Sequence, residues 1–429
     1  MLKIHLQPPH GAHRRDWRWG LPSRDHARGI AATAIAIGLL FTAACGGESA
    51  TPAPPTPAEP QIDLSKLELG NYSGVPQPLE KPIDEAQGRA VQAQRLANHI
   101  PLPMEIDTRL KHYSDTIPKV FTTINHQTMG SWVGSDLEPH KEALAGFVSG
   151  FTSAANSDAH LSLSVSLENR VLIFDSEASA TSAMNTLVDS ELAADPEKAI
   201  VAVPQFPNAR AYQKANRQTL FSWYSTGQFI IFTAVWDHLS TELSTTDLPG
   251  MMDLVTKSLA AIPGRISEFK PASAQERDTL SPDWDGMLAR TVPAINDQAP
   301  GLTVPGVYDR HGGLQISRQA EFDRTLFEDA GVDRVGFNGG YLYRARDTAA
   351  AIAVTNRHAT FTKFYRKVSS PPALPIARCY ELKNPTSKTR MRYYCSVNFD
   401  RYAADISANQ LEDAYQRISA QYALLANGK

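Results

Sequence analysis

From Leu161 to Leu167 the chain alternates strictly, with Leu161, Leu163, Val165 and Leu167 set against Ser162, Ser164 and Ser166. A period of two places each set on one face of a strand, which predicts a half-buried strand. Glu168-Asn169 then reads as the turn into a second apolar run, Arg170–Asp175, so the pattern predicts a β-hairpin. A second hairpin is predicted near 334–345, where "RVGF" and "YLYRA" flank Asn338-Gly339. Asn-Gly is the strongest short hairpin signal, because the favoured turn needs positive φ at both residues. Each hairpin runs into an Ala-rich stretch, 177–187 and 348–357, that reads as a helix. Asp175 or Ser176, and Asp347, stand where a side chain can cap these helices. Another hairpin follows in each set, 209–236 and 377–406, and then an amphipathic helix, 249–262 and 408–425. A helix is also predicted before each set, over 138–154 and 320–332.

One phrase marks both sets, "PNARAY" at 207–212 and "PIARCY" at 375–380. The shared phrase and the shared order of helix, hairpin, helix, hairpin, helix predict an α+β fold of two tandem related modules. Each is expected to be a small antiparallel sheet built from two β-hairpins with flanking helices. The N-terminal α+β module is expected over 63–265 and the C-terminal one over 287–429. A polar, Pro-broken linker over 266–286 separates them. Aligning the phrases puts Cys379 on Ala211 and, after a three-residue offset, Cys395 on Tyr224. The two cysteines then lie on the two arms of one hairpin and are expected to form a structural disulfide. Closing a loop of about 15 residues is worth roughly 3 kcal/mol in the chain-entropy model. A redox or metal pair would call for C-x-x-C spacing or a nearby ligand cluster, and the sequence has neither.

The N-terminal 44 residues read as a signal peptide. A basic region with Arg14, Arg15, Arg18, Arg24 and Arg28 precedes an uncharged apolar stretch that ends in small residues at Cys45. That stretch has the length of a signal-peptide apolar region and falls short of the ~20 residues a helix needs to span a bilayer. Ala43-Ala44-Cys45 resembles a bacterial lipobox, whose cysteine thiol carries the lipid, although Thr42 stands where such motifs usually place Leu. A plain membrane-anchor helix and a twin-arginine export signal at "HRRDWRW" are the competing readings. Residues 45–62 then form a Pro/Ala-rich tether that can bury no core. With Cys45 lipidated, for instance by palmitate, the remaining cysteines make an even pair in an oxidising compartment.

Charge narrows the function classes. Residues 1–44 hold six of the 42 Lys/Arg and two of the 45 Asp/Glu, leaving 36 against 43 beyond them. An acidic body argues against a nucleic-acid partner. No catalytic, cofactor or metal motif appears. "GFVSG" puts its serine one place late for a nucleophile elbow, and the eight histidines outside the signal region are scattered singly. Two features are candidates for binding. Phe221, Trp223, Phe229 and Phe232 in "TLFSWYSTGQFIIFTAVW" either form buried core or line a groove for an apolar or lipid ligand. Arg366, Lys367, Lys388, Arg390 and Arg392 either form a solvated face or meet anionic headgroups or cell-wall polymers.

"GNYSGVPQPL" (70–79), "AQRLANHIPLP" (93–103), the long stretch "PGVYDRHGGLQISRQAEFDRTLFEDAGVDRVGFNGGYLYRARD" (305–347) and "DAYQRISAQYALL" (413–425) carry a resemblance. Across nearly everything after the tether the chain resembles an actinobacterial lipoprotein family, described as a domain of unknown function with N- and C-terminal parts. The resemblance implies an exported, membrane-anchored envelope protein and carries over no catalytic residues. The layout is also similar to extracellular sensor domains of mycobacterial-type kinases, a likeness of fold alone. The function expected is a lipoprotein on the outer face of the plasma membrane. It would act as a non-enzymatic ligand-binding or protein-interaction module, with a lipid, a cell-wall ligand or an envelope protein as partner and no cofactor. The alternative is an envelope hydrolase or transferase with a site formed at the module interface; a purely structural spacer is a third reading. An open cleft gathering Asp, His or Ser would favour the enzyme, and a closed junction would favour binding.

Overall fold

A computed structural model describes residues 61–429 apart from 117, 130–136, 215–216, 294–303, 361–362, 387–390 and 429. Cys45 and the residues expected to form the signal peptide and the tether, as far as residue 60, lie outside the described residues. The first module opens with α1 (Glu85–Ala97), α2 (Pro103–Ile106), β1 (His112–Tyr113), β2 (Val120–Phe121) and α3 (His126–Met129). It continues with β3 (Phe147–Asn156), β4 (Val165–Phe174), α4 (Glu177–Ala194), β5 (Ala199–Val201), β6 (Arg210–Lys214), β7 (Thr219–Thr226) and β8 (Phe229–Asp237). It closes with α5 (His238–Glu242), α6 (Leu248–Ile266) and α7 (Ala274–Arg277). The second comprises β9 (Gly306–Tyr308), α8 (Arg310–Ile316), α9 (Ala320–Asp329), β10 (Arg334–Phe337), β11 (Gly340–Arg344) and α10 (Thr348–His358). After these come β12 (Tyr365–Val368), β13 (Arg378–Leu382), β14 (Tyr393–Phe399), β15 (Tyr402–Ala408) and α11 (Leu411–Asn427).

The strand order bears out the tandem α+β fold. Among the described residues one sheet runs β1-β3-β4-β8-β7-β6-β5, with β2 also on β3; the other runs β9-β10-β11-β15-β14-β13-β12. Position by position the two orders match, and every pairing is antiparallel. The sheets are wider than two hairpins each, at eight and seven strands. Even the turns correspond. Gly227, between β7 and β8, and Asp400, between β14 and β15, both take left-handed φ, +52° and +49°. The helix caps correspond as well: Ser176 accepts from Ser179 N, and Asp347 from Ala350 N. At the Asn338-Gly339 turn the left-handed φ falls on Gly339 alone, at +77°.

Three expectations change. The second half of the helix expected over 138–154 is strand β3, the first half being a 3-10 turn and further turns, and the hairpin partner of β3 is β4, which runs unbroken through Glu168-Asn169. Gly150 explains the first change. In a helix interior it would be unfavourable by about 1 kcal/mol, whereas in β3 it lets the Phe121 ring approach so closely that a Cβ would lie 2.3 Å from it. Buried partners explain the second. Glu168 sits 2.5 Å from Arg170, while the Asn169 side chain donates to Ser258 and accepts from Thr233. These polar residues lie inside a strand covered on both faces, and their leucine neighbours 161 and 163 fall in an exposed 3-10 turn instead. The third change is the disulfide's counterpart. Cys379 pairs directly with Cys395 across β13–β14, while Ala211 pairs with Ser222, not Tyr224, across β6–β7. The connection between β13 and β14 is longer than that between β6 and β7 by more than the three residues the alignment allowed.

Cys379 and Cys395 are fully buried in the core between the second sheet and α11. The Cys379→Ala/Cys395→Ala double variant is expected to lose about 3 kcal/mol of unfolding free energy, the chain-entropy value for this loop. Urea unfolding of both proteins measures it. A loss below about 1 kcal/mol would mean that the loop is held by its strand pairing alone.

Candidate functional site

The four aromatic residues read as a candidate groove are core, and that reading is corrected. Phe221, Trp223 and Phe232 pack beneath α4, with the Trp223 and Phe232 rings 4.4 Å apart. Phe229 faces the opposite side of the sheet, in the core under α6. Strand parity separates them, since Phe229 and Phe232 are three residues apart on one strand. All four are buried. In the basic run, Arg366 and Arg392 both pair with Glu381, which neutralises part of it. Lys388 and Arg390 lie outside the described residues.

The junction between the modules is closed, and α1 closes it. This helix is buried on nearly every side, through Ala90, Val91, Gln92, Ala93, Gln94, Leu96 and Ala97. Ala90, Ala93, Leu96 and Ala97 share one core with Phe151 and Val171 of the first module and with Tyr308, Leu314 and Val335 of the second. Gln94 donates to the carbonyl of Pro305 at 2.8 Å, and Gln92 accepts from Ala272 N at 2.8 Å. Gln315 of α8 completes the seal: its Oε1 accepts from Ser153 at 2.8 Å and its Nε2 donates to the Ile100 carbonyl at 2.7 Å. Gly88 lets α1 meet the chain at α7, where a Cβ would lie 2.7 Å from the Arg277 carbonyl oxygen. A small cavity of about 30 Å³ lies beside this seal, with Lys119, Tyr113, Gln315 and Ser317 in its wall.

Buried charge clusters in both modules were not read from sequence. In the second module His358 lies between two carboxylates, with Nδ1 2.7 Å from Asp405 and Nε2 3.1 Å from Asp323. Ser317 donates to the other oxygen of Asp323 at 2.5 Å, and Tyr394 adds a side-chain hydrogen bond to Asp405. Burial works against a charged imidazole here, but Asp405 and Asp323 outweigh it and push the His358 pKa up to about 10. The imidazole is therefore a buried cation clamped at both nitrogens. It has no nitrogen left for a nucleophile or a metal, and no metal-holding cluster occurs among the described residues. Leu187 stands eleven residues after its helix cap, as His358 does. Strand register sets Phe232 opposite Asp405 in the same comparison. Two positions of one apolar cluster in the first module, Leu187 and Phe232, thus correspond to a bonded ionic pair in the second.

In the first module Arg170 and Glu168 form an ion pair by proximity rather than an aligned hydrogen bond. Arg170 also donates to the Thr128 carbonyl. Lys119, also fully enclosed, lies near them. Burial pushes its pKa down to about 8, against the pull of Glu168. Two Ser–His contacts complete the list of catalytic candidates, Ser166 with His238 and Ser190 with His140, each at 3.0 Å. Among the described residues neither imidazole is bonded to a carboxylate, and Ser166 gives its proton to Asn156 at 2.7 Å. Neither pair is oriented as a base-activated nucleophile.

Two family models match the chain, the domain of unknown function (DUF7373), N-terminal, over residues 79–282 and its C-terminal part over 287–428. Among solved structures, the extracellular domain of PknH from Mycobacterium tuberculosis is similar at 9% identity and a TM-score of 0.27. The match covers 43% of this chain and 99% of that one. A search of curated proteins finds no match. No helix among the described residues is long and apolar enough to cross a membrane.

The His358 cluster sets a pH dependence with a definite sign. The folded pKa lies near 10 and the unfolded value near 6.5, so the stabilisation is complete below pH 6.5 and is lost as pH rises toward 10. Urea unfolding between pH 7 and 10 is expected to show a decline on the order of 1 kcal/mol per pH unit. In His358→Leu that decline should flatten, from a starting stability several kcal/mol lower because two buried carboxylates lose their counter-ion. A variant with the wild-type slope would mean that the imidazole is neutral.

Proposed function

We propose that this chain, which belongs to the DUF7373 family, is an envelope lipoprotein held to the outer face of the plasma membrane through Cys45. Its folded body acts as a non-enzymatic protein-interaction module. The anchor is read from Ala43-Ala44-Cys45 and the Pro/Ala-rich tether behind it. From the last tether residue onward the chain is packed: Ile62, Leu64, Leu67 and Leu69 meet the core under α11, and Tyr72 donates to Asp413 on that helix at 2.6 Å. The chain therefore enters the folded body at the second module's last helix.

The observation that carries the binding reading is a group of leucines left in solvent. Leu161 and Leu163 in the 3-10 turn before β4, and Leu243 at the end of α5, are 55, 53 and 63% exposed, and Leu239 is partly so. The turn and α5 are held together by His238, whose backbone N–H donates to the Ser164 carbonyl at 3.0 Å and whose ring bonds Ser166. Large apolar side chains gathered at one place on a surface mark an interaction site. The closed junction and the clamped histidine supply no comparable support for the hydrolase or transferase reading.

A photo-reactive residue in place of Leu163, in cells exporting the full chain, tests this proposal. A discrete adduct with an envelope protein is expected, lost in Leu161→Arg/Leu243→Arg, with Cys45→Ala releasing the chain from the membrane fraction. Diffuse or absent adducts would reject the binding surface. Membrane retention of Cys45→Ala would reject the anchor.

A further inference from the structure

The cavity beside the module seal has an unbalanced wall. Lys119 is 3% exposed, and no described residue bonds or pairs with its ammonium. Around it the buried charges are Arg170, which is positive, and Glu168, which is negative and already beside Arg170. Among the described residues two enclosed cations thus share one enclosed carboxylate; Asp115, the other acid that acts on Lys119, is exposed. Even with its pKa lowered to about 8, Lys119 is mostly charged at pH 7. An enclosed charge without a counter-ion is strongly unfavourable. Space for a counter-ion exists next to it. A cavity of about 30 Å³ offers roughly two positions of the size of a water molecule, at ~10–15 Å³ each. The rest of the wall is drawn from both modules, with His112 and Tyr113 of β1 on one side and Gln315 and Ser317 on the other. The two Gln315 side-chain groups are spent on Ser153 and Ile100, Ser317 is spent on Asp323, and Lys111 at the rim pairs with Glu321, which leaves Lys119 as the buried cation of this wall.

We infer that this cavity is a binding site for one small monovalent anion, chloride or the carboxylate of a very short acid, held by Lys119 at the seam between the modules. The bound charge balances the second cation, and the ion sits where α2, β1 and α8 meet, so it ties the two modules together. Divalent and larger anions are excluded by the volume and by the single positive charge to be balanced.

The test is thermal unfolding of the full chain while sodium gluconate, too large for the cavity, is replaced at constant ionic strength by sodium chloride or by sodium formate. A saturable rise in Tm is expected, on the order of 2–4 °C. A rise with both salts identifies a general anion site; a rise with formate alone identifies a carboxylate site. Lys119→Met should abolish the rise and, in gluconate, unfold no lower than the wild type, because it removes an uncompensated charge. Should that variant fail to fold, a bromide-soaked crystal decides, with an anomalous peak next to the Lys119 Nζ expected. Equal Tm in all three salts together with no bromide peak would overturn the assignment.

Discussion

The structure depends on the burial of α1 between two sheets. A helix of small residues, Ala90, Ala93 and Ala97, approaches both sheets closely and leaves no gap for solvent. The glutamines on the same helix, Gln92 and Gln94, would be unfavourable to bury without partners. They are satisfied by backbone groups at Ala272 and Pro305, which lie beyond the first sheet in sequence. The helix therefore has complete hydrogen bonding only when the segment after the first module and the start of the second are in place. Two modules that look separable in sequence share one core for this reason.

Within that shared body the two halves differ at paired positions. Ala211 and Ser222 face each other in one sheet, and Cys379 and Cys395 face each other at the same place in the other. Leu187 and Phe232 belong to one apolar cluster in one, and His358 and Asp405 bond in the other. Each exchange keeps the backbone register and changes the chemistry of a contact on both sides at once. A change on one side alone would leave a lone buried thiol in the first case and a lone buried charge in the second. The second module thus has a covalent link and an ionic clamp where the first has an Ala–Ser pair and an aromatic and aliphatic cluster beneath α4.

What the sequence shows is local chemistry. The Asn338-Gly339 turn, the capped Ala-rich helices and the repeated phrase are each contained within a few residues, and each is found where it was expected. Strand β3 was misread because both its faces are buried, which erases the alternation that identifies a strand. Glu168-Asn169 imitates a turn because polar residues in a strand centre make sense only once Arg170, Ser258 and Thr233 are seen around them. Helix α1 left no amphipathic stripe to read, since its glutamines are as buried as its alanines. The aromatic run was a plausible groove only until register divided Phe229 from Phe221, Trp223 and Phe232. The exposed leucines at 161 and 163 were hidden by their own alternation, which resembles a buried face.

The shared core can be tested by differential scanning calorimetry of the chain. If α1 makes one folding unit of the two modules, unfolding is a single transition whose calorimetric and van't Hoff enthalpies agree. Two resolved transitions, or a calorimetric enthalpy about twice the van't Hoff value, would show that each module melts alone and that the sealed junction is not what holds the protein together.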